Sequence, residues 1–339
     1  MRKSVYLQRR IIALSYLMLA VNILSAQENA STAQMQNDTI FRIDWIGQTP
    51  ADENENKTKS SKRFFNLLIG RNSLELNKPI SVIAKNPDSM WILDQGSRMI
   101  FHTKDQSGEI TPIYKTKLNE LSSLVGICFA PENKILFTDS RQNNIFQITQ
   151  GIRELTKLNN SLALQQPTGI AYSFMKDEIW VAETAAHRIS VLNYKGELIK
   201  TIGSRGTGPE EFNFPTFIWI DKKGFVYITD AMNFRVKVYD LDGELISIFG
   251  KAGDASGCFA SPKGIATDSY GHIYVADALF HTIQVFDKTG KLLYYFGNQG
   301  HGKGEFWMPV GIFIDDHDFI YIADSYNSRI QVFKLVIVE

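Results

Sequence analysis

The chain has 339 residues, 44% of them hydrophobic, with 36 basic and 36 acidic residues and a formal net charge of zero. That composition can bury a sizeable core, and its charge balance and complexity exclude a disordered tail or a collagen-like rod. Two cysteines exclude a disulfide-dense secreted mini-domain.

In chain order, residues 1–26 come first. MRKSVYLQRR is basic, IIALSYLMLAVNIL is a run of 14 mostly apolar residues, and LSA precedes Gln27. This layout predicts a cleaved signal peptide at 1–26 and export to the periplasm or cell exterior. A permanent membrane span needs about 20 apolar residues and is not expected. Removing 1–26 takes away four basic residues and leaves 32 basic against 36 acidic ones. Nucleic acid is not an expected partner, because its phosphates need a basic face. Residues 27–63 are a polar segment holding one alternating stretch, IFRIDWI at 40–46, whose place in the fold the sequence does not indicate.

From residue 64 onward the chain repeats itself. Copies open at Pro79, Leu124, Pro167, Pro215, Pro262 and Pro309, the last three at a constant interval of 47 residues. Each copy carries short apolar segments, such as GIAT, HIYVAD, TIQVF and LLYYFG, separated by turn residues. Four strands per unit at a period near 45 predict an all-β fold, a six-bladed β-propeller of four-stranded blades over residues 64–339. The last copy lacks a fourth strand. RFFNLLIG at 63–70 resembles the fourth-strand segments GELISIFG and KLLYYFG. An N-terminal strand there is expected to complete the last blade, close the ring and remove an open edge.

The pattern Pro-x-Gly-Ile…Ile-Tyr-x-Ala-Asp…Arg-Ile-Gln-Val-Phe, clearest in SYNSRIQVF at 325–333, resembles the NHL-repeat family. That resemblance implies six-bladed propellers and says little about function. The peptide-amidating lyases are similar propellers whose zinc is held by histidines directly after the blade-opening proline. Those positions here are Ile80, Thr168, Thr216, Lys263 and Val310, so no metal or other cofactor is expected.

GSRGTGPEEFNFP at 203–215 looks like a phosphate-cradling loop, but a strand follows it rather than a helix N-terminus. Phe212, Phe259 and Phe306, each three residues before a proline, are read as packing plugs. The acidic residues ending the second strands are Asp94, Asp139, Glu183, Asp230, Asp277 and Asp324, with Arg98, Arg188, Arg235 and Arg329 following. They are read as turn caps and ion pairs rather than a catalytic ring. His187 and His281 share a register two blades apart and are not expected to share a metal. His272 and His317, in tight turns, are expected to be exposed. Cys128 and Cys258 belong to different blades, so no disulfide is expected between them.

Strand alternation puts the loops between second and third strands on the same face as the blade connections. Met232, Phe234, Leu279, Phe280, His281, Trp307 and Tyr326 fall on that face, beside Arg205 and His301. The expected binding set is Arg205, Phe234, Phe280, His281, Trp307 and Tyr326, with a protein or small extracellular ligand as partner of a monomeric ring. No catalytic residue is assigned. The function expected is a binding or scaffold module; an extracytoplasmic lyase or lactonase with its site at the channel mouth is the alternative.

Overall fold

A computed structural model describes residues 32–34, 40–51, 75–103, 109–113, 121–150 and 155–338. Six antiparallel sheets stand around a central axis, and the inner strand of each is the segment predicted to open a copy. These strands are Pro79–Asn86, Leu124–Ala130, Pro167–Ser173, Pro215–Ile220, Pro262–Thr267 and Pro309–Ile314, and they define blades one to six.

Each blade is too thin to bury a core of its own, so the apolar residues on its two faces pack against its neighbours. Six buried clusters result, one at each seam. Trp180, Ala182 and Val191 of blade three meet Phe212, Ile228 and Tyr239 of blade four. Tyr321, Ala323 and Ile330 of blade six meet Val82, Met90 and Phe101 of blade one, which closes the ring. Side chains also tie seam to seam: Thr184 Oγ1 donates to the Pro215 carbonyl at 2.6 Å and Thr229 Oγ1 to the Lys263 carbonyl at 2.7 Å.

An N-terminal strand completes blade six, as expected; the segment 63–70 expected to supply it lies outside the described residues. Ile40–Thr49, the stretch the sequence left unplaced, fills that position. It runs antiparallel to the long last strand Arg329–Val338, from Ile40 opposite Val338 to Thr49 opposite Ile330. Trp45 anchors this segment. Its ring packs beside the cluster between blades five and six, and its Nε1 donates to Gln331 Oε1 at 2.9 Å. Thr32–Gln34 pairs outside it, so this blade has five strands.

Inner strands differ in how closely they approach one another. A Cβ built on Gly169 would lie 2.4 Å from the Thr216 carbonyl oxygen of the next blade; Gly126, Gly264 and Gly311 are equally confined. In that register blades one and four carry Ser81 and Phe217 instead. The two seams beyond them therefore have room for a side chain, and Phe217 packs at once against apolar clusters on both sides of the axis.

Candidate functional site

The glycine-rich connections are built around their own phenylalanines. Phe212, Phe259 and Phe306 are fully buried, as read from sequence. Gly203 sits at φ +83° with the Phe212 ring where a Cβ would be, 2.3 Å away, so only glycine fits. The loop's donors are already taken, Gly206 N by Phe212 O, Gly208 N by Glu211 Oε2 and Phe212 N by Ser204 O at 2.8–2.9 Å, and Arg235 donates to Thr207 O, Gly208 O and Glu211 O at 2.8–2.9 Å. Arg329 holds the loop of blade six in the same way. These are stitched connections, not phosphate cradles.

The acidic residue at the end of each second strand anchors this stitching. Buried Asp230 accepts Asn213 N at 2.6 Å through Oδ1, and Asn233 Nδ2 and Arg235 Nε at 2.8 Å through Oδ2. The same pairing joins Glu183 to Arg188 and Asp324 to Arg329. It is seen in blades three, four and six. Arg98 stands one residue too early, in the left-handed turn position at φ +58°, where blades three, four, five and six carry His187, Phe234, His281 and Ser328. Side chains at that position reach the following blade: His187 Nδ1 accepts Phe214 N at 3.2 Å, and His281 Nδ1 accepts Met308 N at 3.1 Å. Both histidines are seam clamps. His272 is buried, contrary to expectation, because its Nδ1 meets Asp268 Oδ2 at 2.6 Å. Among the described residues no group of three or more His, Cys, Asp or Glu is placed to hold a metal ion. Both cysteines are free.

The expected binding set divides. Arg205 is exposed, and Phe234 is half-buried against the seam between blades four and five. Phe280 is half-buried, its N–H directed at Asp277 Oδ1. What remains open is an arc. Met232, Leu279 and Tyr326 occupy one register, two residues after the acidic anchor, in three consecutive blades, and are 54%, 56% and 54% exposed. Trp307 lies beside Tyr326 with ring centroids 5.9 Å apart, and His301 meets the Trp307 ring edge-on at 5.1 Å. Lys78 Nζ lies 5.6 Å from the Tyr326 ring centre. The backbone beneath is pinned: Trp307 N donates to Asp324 Oδ1 at 2.7 Å and Tyr326 N to Trp307 O at 3.1 Å. Lys78 and His301 join this cluster through neighbouring connections, and no pattern in the repeats pointed to Lys78.

A second concavity lies at the axis and opens on the opposite face, among the hairpins joining first to second strands. Its volume is about 620 Å3. The sequence allowed for a site at the channel mouth, as the alternative, but indicated none of the residues that line this one. Phe129, Phe217, Trp219 and Phe313 line it, and the exposed Phe174, Lys222, Lys223 and Asp316 stand at its mouth.

The model of a family described as 6-bladed beta-propeller matches residues 159–265 and 261–337. No curated protein matches the sequence. Among solved structures, virginiamycin B lyase from Staphylococcus aureus is similar at 17% identity and TM-score 0.57, covering 78% of this chain and 98% of its own. An auxiliary nutrient binding protein from Bacteroides thetaiotaomicron is similar at 14% identity and TM-score 0.63, covering 88% and 77%. A gluconolactonase from Xanthomonas campestris is similar at 11% identity and TM-score 0.60, covering 90% and 95%. At these identities the likeness is one of fold.

Proposed function

We propose, from the premise that this chain belongs to the 6-bladed beta-propeller family, that it is an exported binding module with NHL-like blades. Its partner docks on the face of the blade connections. The observation that carries this reading is the arc of Met232, Leu279 and Tyr326 with Trp307 at its end, large apolar side chains held open on a backbone pinned by buried aspartate. Preorganised aromatics with polar neighbours are the anchors from which binding energy is drawn, since little conformational freedom is lost when they are covered. The likeness to a nutrient binding propeller supports a binding role, and the basic-then-apolar start of the sequence supports export.

The test pairs two titrations of the mature protein. A partner captured from the cell envelope is titrated against wild type and against Trp307→Ala and Tyr326→Ala. Each variant should weaken binding by about 1–3 kcal/mol. Denaturant unfolding of the same variants should move by less than about 1 kcal/mol, because both rings are substantially exposed. Unchanged affinity in both variants would overturn the reading.

A further inference from the structure

We propose that the axial cavity on the opposite face is a second, separate binding site, for an uncharged aromatic or polycyclic small molecule. The inference does not depend on the aromatic arc.

Four aromatic residues from alternate blades shape the chamber. Phe129 comes from blade two, Phe217 and Trp219 from blade four, and Phe313 from blade six. Phe313 is the hub: Trp219 meets it edge-on with centroids 5.6 Å apart at 77°, and Phe129 at 6.2 Å and 76°. All four are only partly buried, so each ring presents surface to the cavity rather than to a neighbour alone. Ring faces and edges arranged at right angles suit a flat aromatic guest, which can continue the edge-to-face pattern. A volume near 620 Å3 falls within the range of small-molecule pockets, about 300–1,000 Å3.

Charge in the guest is excluded by the state of the polar wall. Four carboxylates line the cavity; Asp316 pairs with Lys222 at the rim, and the other three are committed to the chain's own donors. Asp221 accepts Lys223 N, Phe225 N and Tyr227 OH; Asp315 accepts His317 N, Phe319 N and Tyr321 OH. Asp268 accepts Tyr270 N, His272 N and Tyr274 OH and meets His272 Nδ1. Deeper in, Thr267 Oγ1 accepts Trp219 Nε1 at 2.9 Å. An anion drawn past the rim, where Lys222 and Lys223 stand in solvent, would lose its water and face carboxylates rather than a counter-charge, at a cost far above what apolar contact returns. A neutral apolar body instead displaces water that the aromatic wall holds poorly. At the mouth, Lys222 and Asp316 pair at 2.8 Å in full solvent and can meet a polar end of the guest. Phe174, 67% exposed, stacks edge-on with Tyr172 at 4.8 Å as an apolar lip.

The experiment uses two probes with the same body: neutral N-phenyl-1-naphthylamine and its anionic 8-sulfonate. Fluorescence titration of the mature protein should show saturable binding of the neutral probe, about tenfold or more tighter than the sulfonate. Cys128→Phe places in blade two the kind of ring that Trp219 and Phe313 already carry in that register in blades four and six. It should weaken the neutral probe by about tenfold or more; because Cys128 also packs against the seam between blades two and three, retention of the fold is checked by a single cooperative unfolding transition. Should that variant misfold, Phe174→Ala at the exposed lip supplies the same answer: it should weaken the neutral probe several-fold and leave the unfolding transition as in wild type. Absent saturable binding, equal affinity for both probes, or a neutral-probe affinity unchanged in both Cys128→Phe and Phe174→Ala would each overturn the assignment.

Discussion

Trp45→Ala tests how the ring is closed. The Trp45 ring is half-buried beside the cluster between blades five and six, its Nε1 donates to Gln331, and Lys303 Nζ lies 4.5 Å from its centre. Complete burial of a tryptophan is worth about 3–5 kcal/mol on truncation, so a half-buried ring contributes about 2. The hydrogen bond adds about 1 kcal/mol, and no more, because Gln331 Oε1 still accepts Gly304 N at 3.0 Å. The exposed cation over the ring adds about 0.5 kcal/mol. The total is about 3–4 kcal/mol, bounded above by the free energy with which the whole strand Ile40–Thr49 docks. Urea unfolding of the mature protein is the assay, with Ile46→Ala as control. Ile46 sits at the bulge of the same strand, 48% exposed, and its truncation should cost no more than about 0.5 kcal/mol. If Trp45→Ala and Ile46→Ala unfold at the same urea concentration, the N-terminal strand does not complete the last blade in solution.

Two further perturbations probe the interior. Lys237 has no exposed side chain and lies 4.0 Å from the centre of the Phe212 ring; burial, reinforced by Arg235, lowers its pKa from 10.5 to about 8. The folded state thus gives up this proton before the unfolded one does, so stability should rise between about pH 8 and 10.5, by on the order of 3 kcal/mol, and be unaffected by this group below pH 8. Lys237→Met should remove that rise, and a wild-type pH profile parallel to that of the variant in denaturant unfolding would contradict it. Gly169→Ala forces a methyl against the Thr216 carbonyl and should cost about 1–3 kcal/mol, while Ser81→Ala, in the same register at a wider seam, should fall within about 0.5 kcal/mol in the same assay. Equal costs would mean that the seams are evenly spaced.

The blades were readable in the sequence because a propeller repeats its local chemistry. The acidic anchors recur six times, the plugs such as Phe306 three times and the opening prolines five times, each doing the same mechanical task, so the interval marks the role. That an N-terminal strand closes the ring was readable from the unfinished last copy, but which segment supplies it was not. Ile40–Thr49 is chosen by pairing with a strand nearly 300 residues away, and its polar alternation carries no blade signature, whereas RFFNLLIG imitates a fourth strand locally. Arg98 was misplaced by one residue because the turn of blade one offers QGSR where blade three offers TAAHR, and only the backbone conformation tells which residue takes the left-handed position. On the connection face, Met232, Leu279 and Tyr326 could be found from register alone. The axial chamber could not, because its walls are single departures, Phe217 in place of glycine above all, that meet only when the ring is assembled.

The central claim is that the connection face of an exported propeller engages a partner. A photo-activatable benzophenone residue at position 326, with the same residue at position 174 as control, tests it in the living cell. Both positions are widely exposed and lie on opposite faces of the ring. The account predicts a discrete cross-linked species from position 326 outside the cytoplasm and none from 174. Cross-linking from 174 with none from 326 would contradict it.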